Sequence, residues 1–424
     1  MKNKVIGILI VGMAMGTAWA IRGQFGHEQG AAWAAAIGAL ALVLVSQRAG
    51  WYKKVLTVTL ASAIGWGMGG MISYGKIVGY GRSDDFPNAF YGLLMLFVIG
   101  NLYGLLGGGL TGLTLESSKE KKVNWARLIT EMVAGGLIVY GFIVMQLGIL
   151  MTPPRSEAWA VCLGAALAML WHLARNDFTA SLRIALISGL GAGFGFAFGN
   201  FLQVTGNVLQ INFNMWNVME YSIGFFGGGS MAYAIYSARL NEVPEENRRW
   251  ENRIAFLLVF ALIPVIVYHE SLRYSIILKR LGDIPAVESV ALISTILAAV
   301  LLLFMAVSGW IKAEKANNTP ARSRVFYLFT ILFVVYIAIS YLVTGLIGGQ
   351  THLNHHLYIV NLIVILLLVR QKVNPFAAAP CIEPRWEILL RMYAWMVIII
   401  ALLTFVLIST HGELSGSQVR FELK

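Results

Sequence analysis

The chain has 424 residues, 58% of them hydrophobic and 12% charged, with a mean hydropathy of +0.71. No water-soluble globular domain of this length has that balance. The net charge of +11 does not mark a nucleic-acid binder, because Lys and Arg sit in short connections between apolar runs, as topology signals do.

Those runs recur from end to end at about the 17–25 residues that cross a bilayer. They predict an all-α polytopic membrane protein with about thirteen transmembrane helices. The expected spans are 5–21, 29–46, 55–75, 89–114, 128–151, 157–173, 184–203, 218–238, 254–269, 287–309, 326–348, 356–369 and 389–409. The first has the layout of a secretory signal, with Lys2, Lys4, an apolar run and Ala18-Trp19-Ala20, and is read as a retained span. With the N-terminus in the cytoplasm, 23 of the 32 basic residues fall on the inner side, the bias that orients multi-pass chains. The expected location is therefore the inner (cytoplasmic) membrane. Cys162, inside a span, and Cys381, in a connection, give neither a disulfide framework nor a metal spacing.

Glycine divides the chain. Residues 1–240 hold 37 of the 44 glycines, and glycine lets membrane helices approach closely or break. Residues 1–240 are accordingly read as Gly-rich helical hairpins that carry the site, and 241–424 as a supporting helical bundle. Gly107-Gly-Gly109 and Gly227-Gly-Gly229 lie 120 residues apart, in hairpins of similar layout, which points to an internal duplication.

Polar tips on the outer side carry the candidate chemistry. The first, Arg22-Gly-Gln-Phe-Gly-His27-Glu28-Gln-Gly30, puts costly ionisable groups at a bilayer edge. The second holds Tyr74, Lys76, Arg82, Asp84, Asp85 and Asn88. The third, from Asn200 to Glu220, interleaves Asn200, Gln203, Asn212, Asn214 and Asn217 with Phe and Trp216. Amides beside aromatic rings can bind hydroxyls and stack on an apolar ring face, as sugar sites require; the same composition suits a turn at the headgroup level. Glu28, Glu220, Asp84 and Asp85 are the acid–base candidates, since two facing carboxyls can cleave a glycosidic bond. Internal pairing of Arg22 with Glu28, or of Lys76 or Arg82 with Asp84 or Asp85, is the alternative. His352 and His355, in His352-Leu-Asn-His355-His356, complete the set as ligand-binding candidates. That spelling occurs in membrane desaturases, but seven histidines, scattered as they are, do not make the several boxes of a di-iron site. No metal or other cofactor is expected.

The first tip, together with Asn212-Phe-Asn214-Met-Trp216-Asn217 through Glu220, resembles bacterial intramembrane glycosyl hydrolases, mainly over residues 1–240. The resemblance implies a carboxylate-based site buried among helices and open to the periplasm, acting on a small or lipid-linked carbohydrate. Two other readings stand beside it: a secondary transporter for a sugar or other small polar solute, which would explain Gly-broken helices and repeats, and a lipid-linked glycosyl- or acyltransferase.

Overall fold

A computed structural model describes residues 2–154, 156–240, 248–314, 320–344, 346, 352–376 and 385–422. The described residues form helices joined by short connections and no strands. In chain order the helices are α1 (Lys2–Arg22), α2 (His27–Ser46), α3 (Ala49–Lys53), α4 (Val55–Gly70), α5 (Gly75–Tyr80), α6 (Phe86–Glu116), α7 (Trp125–Gln146) and α8 (Ala158–Arg175). There follow α9 (Thr179–Val208), α10 (Met215–Tyr236), α11 (Arg249–Leu272), α12 (Tyr274–Leu281), α13 (Val287–Glu314), α14 (Ala321–Val343), α15 (Leu353–Arg370) and α16 (Trp386–Ile408).

Among the described residues, eleven helices are long and apolar enough to cross a membrane, so the chain is an all-α polytopic membrane protein. Each of the thirteen expected spans falls on a helix. The two that do not meet the membrane criteria are α4, at 16 residues, and α10, which carries Asn217, Glu220, Ser222 and Ser230. Both are inner helices of the bundle, where packing against protein replaces contact with lipid.

Six helices close into a ring in the order α1–α2–α4–α6–α9–α10 and back to α1. Glycine spacing makes the ring tight. On α6, Gly100, Gly104 and Gly108 form one ridge against Ser188, Gly189 and Ala192 of α9; a Cβ on Gly104 would sit 2.2 Å from the Ser188 carbonyl oxygen. On α1, Gly12 and Gly16 face Phe225 and Tyr221 of α10, and Gly224 of α10 returns the contact to Met15 and Gly16. Small residues four apart let helix backbones touch where lipid supplies no hydrophobic drive. The remaining helices lie outside the ring: α14 on α2, α15 on α1, and α16 on α6 and α9. One apolar core runs through both halves of the sequence.

Local chemistry sets the helix ends. Asp85, Asn124 and Asn214 cap α6, α7 and α10 with side-chain oxygens that accept the backbone N–H three residues on. Pro264 falls inside α11 between two π-helical turns, as expected where a proline removes an amide donor from the ladder. Past α16 the chain folds back over the end that carries Gly79 and Asn88: Asn88 accepts from the backbone N–H groups of Arg420 and Phe421 at 2.7 and 2.9 Å, and Gln418 donates to the Gly79 carbonyl.

Candidate functional site

The polar tips meet at one end of the ring, with Arg22 at their centre. Arg22 is the last residue of α1 and is fully buried. Its Nε donates to Glu220 Oε2 at 3.1 Å and its Nη2 to Glu220 Oε1 at 3.3 Å, a two-pronged ion pair from α1 to the second turn of α10. The Tyr74 hydroxyl, from the connection between α4 and α5, donates to Glu220 Oε1 at 2.5 Å and accepts from Arg22 Nη2. Arg22 Nη1 donates to the His27 carbonyl at 3.2 Å, which ties α1 to the start of α2. Three groups far apart in sequence thus share one buried, charge-assisted network.

Aromatic rings wall this unit. The Arg22 guanidinium lies 5.0 Å from the Trp19 ring centre and 5.5 Å from that of Tyr74. Trp19 meets Trp66 and Tyr103 edge-on at 5.5 and 5.8 Å, and Phe196 joins Tyr103 to Tyr74. Glycines make the room: a Cβ on Gly69 would fall 2.4 Å from the Tyr103 ring, and one on Gly107 would fall 2.2 Å from Trp66 Nε1. The indole N–H groups of Trp19 and Trp66 and the Tyr103 hydroxyl are buried with no hydrogen-bond partner among the described residues. Buried donors are usually satisfied, and three that are not stand beside this ion pair.

A second layer joins more tips. Asn217 donates to the Ala20 carbonyl at 2.9 Å and to Tyr358 at 2.5 Å, and Asn354 donates to the same phenol at 2.8 Å. Gln24 and the buried His355 meet at 3.4 Å, Arg280 donates to the Gln24 carbonyl at 3.2 Å, and Gln29 donates to Glu270 at 3.3 Å.

The expected site residues divide accordingly. Arg22, His27, Glu220, Asn217 and His355 belong to the joined network. Glu28 is exposed in the first turn of α2. It is not the partner of Arg22, whose described ion pair is with Glu220. Asp84 is exposed and Lys76 half-buried on α5. Asp85 is engaged as a helix cap, accepting from the Asn88 backbone N–H at 2.9 Å, from the Asn88 amide, and from the Ser83 hydroxyl at 2.7 Å. Partial burial opposes ionisation, but these donors hold its carboxyl below the usual range. Asp85→Ala is expected to lower stability by about 1 kcal/mol, the value of a lost N-cap, seen as a lower thermal midpoint in detergent.

The Asn200–Glu220 stretch is less of a loop than its composition suggests. Helix α9 runs on to Val208, so Asn200 and Gln203 are fully buried on the helix and bonded to each other at 3.1 Å. The connection itself is short: Asn212 is exposed, Asn214 is the α10 cap, and Trp216 is exposed with the Arg82 guanidinium 5.6 Å from its ring centre. His352 is exposed at the start of α15. Among the described residues, no three His, Cys, Asp or Glu side chains stand together as a bound metal would need. The internal pairs Arg22–Glu28, Lys76–Asp and Arg82–Asp are not among the ion pairs formed by the described residues.

No protein-family model, curated protein or solved structure matches this chain.

Proposed function

We propose that this chain is a membrane-embedded glycoside hydrolase, crossing the cytoplasmic membrane thirteen times with its N-terminus inside and its site open to the periplasm. The reading rests on one observation: the Arg22–Glu220–Tyr74 unit stands among Trp and Tyr rings whose polar atoms lack partners. Aromatic faces stack on the C–H face of a sugar, while the free donors match its hydroxyls.

Roles follow from charge. Glu220 is paired with Arg22 through both carboxylate oxygens. It suits the carboxylate that stabilises or attacks the positive charge developing at the anomeric carbon. The proton for the departing glycosidic oxygen then comes from Glu28, whose exposed position at the rim gives it access to substrate and water. As the C–O bond breaks, the leaving oxygen keeps the Glu28 proton; water adds to the sugar carbon and its released proton restores Glu28. Arg22 and Tyr74 fix the Glu220 oxygens throughout. Transport has less support, because the ring helices are continuous and the charged unit sits at their outer ends rather than between half-helices at mid-membrane. Transfer from a lipid-linked donor has no comparable feature in its favour.

Glu28→Gln tests this without disturbing the fold, since Glu28 is exposed. Turnover of alkyl glycosides is expected to fall about 10²–10⁴-fold, the usual worth of general acid catalysis. Aryl glycosides with acidic phenol leaving groups, which need little protonation, should lose much less. Equal turnover by Glu28→Gln and the unaltered protein on both substrates, or no turnover of any glycoside by the unaltered protein, would remove the hydrolase reading.

A further inference from the structure

The opposite, Lys/Arg-rich end of the bundle holds a cavity of about 570 Å³ between the starts of α4, α11 and α14 and the end of α13. It takes no part in the network around Arg22. Among the described residues, Lys53, Arg249, Arg253 and Arg324 line it, against one carboxylate, Glu314. Arg253 neutralises that carboxylate through two contacts, Nε to Oε1 at 2.9 Å and Nη2 to Oε2 at 3.2 Å. Of the described lining, Arg249 and Arg324 stand outside that pair. Two helix starts add to their positive charge, because Val55 and Arg324 lie in the first turns of α4 and α14, where the peptide dipoles present their positive ends; the start of α11 is already capped by the Glu251 carboxylate.

The remaining wall is apolar and aromatic. Phe256, Trp310 and Leu328 line the cavity. Beside them the outward faces of the same helices, at Ile254, Leu257 and Ile311, are 45–50% exposed and face where lipid chains would lie. Basic pockets between membrane helices with an apolar side match an anionic headgroup and its acyl chains.

We propose that this cavity binds a phosphate-bearing anion, with the phosphate held between Arg249 and Arg324 and an apolar portion against Trp310 and Phe256. The chemistry is shared by two sources, an anionic phospholipid of the adjoining leaflet and a free organic phosphate. Arg253 serves by holding Glu314, which would otherwise repel the ligand.

Native mass spectrometry of the detergent-purified full chain, with phosphatidylglycerol or phosphatidylcholine added, tests the site. Phosphatidylglycerol should be retained in preference to phosphatidylcholine. Arg249→Gln together with Arg324→Gln should weaken that retention by about fivefold per charge removed, from about 1 kcal/mol for each basic residue near an anionic headgroup. Glu314→Gln should strengthen it. Glycerol 3-phosphate in competition separates the sources: displacement of the lipid at similar concentrations identifies a free organophosphate site, and failure to displace it identifies a lipid site needing acyl contact. Equal retention of both lipids, or phosphatidylglycerol retention unchanged in a double variant with the unaltered thermal midpoint, would overturn the proposal. Should the double variant fail to fold, the Glu314→Gln arm decides in its place, and unchanged retention there has the same force.

Discussion

Arg22→Met is expected to destabilise the protein by about 3–5 kcal/mol, because it leaves the Glu220 carboxylate buried without its counter-ion. Glu220→Gln should cost a similar amount by stranding the guanidinium. The informative variant changes the whole unit at once. Arg22→Met with Glu220→Leu and Tyr74→Phe removes every charged and hydroxyl group that would be left unpartnered, and apolar replacement of a buried pair is often neutral or stabilising. Thermal midpoints in detergent should therefore fall sharply for either single change and recover in the triple variant. Glycoside turnover should be absent from all three. A triple variant as stable as the parent but still hydrolytic would make the unit a packing device.

Gly104→Ala is expected to cost at least about 1–3 kcal/mol, the range for an over-packed interior. The added methyl would meet backbone, the Ser188 carbonyl oxygen at 2.2 Å and the Gly189 Cα at 2.8 Å, and backbone cannot rotate away. Helices α6 and α9 would have to separate along the ridge that closes the ring. Gly229→Ala is the control within a Gly triplet: the nearest atom to its new methyl is 3.7 Å away, so the ordinary helix preference for Ala should make it neutral or stabilising by up to about 1 kcal/mol. The two substitutions compared by thermal midpoint separate close approach from mere glycine content. Equal effects would mean the ridge contact carries no weight.

Much of this was legible in the chain. Apolar run lengths located the helices, and the concentration of glycine before residue 240 located the closely packed ring, all six of whose helices end by Tyr236. Arg22, His27 and Glu220 stood out because charge at a bilayer edge is costly. What stayed hidden was pairing. Glu220 has no basic residue nearby in sequence, and its partner lies 198 positions away, so only ring closure brings them together. Trp19, Trp66 and Tyr103 sit in apolar runs, where periodicity cannot separate a lipid-facing ring from one turned inward. Asn200 and Gln203 misled for a related reason. They close the expected span 184–203 and suggested ligand contacts at its tip, yet with no proline to stop it α9 continues past them to Val208, and each satisfies part of the other's hydrogen-bonding capacity inside the bundle.

The span of the Arg22–Glu220 pair also bears on how the protein is made. A chain leaving the ribosome delivers α1 to the membrane long before α10 exists, so its guanidinium must wait at the lipid–water boundary for the whole synthesis of the intervening helices. Only the arrival of α10 supplies the Glu220 carboxylate, so this buried pair can form no earlier than the closure of the ring.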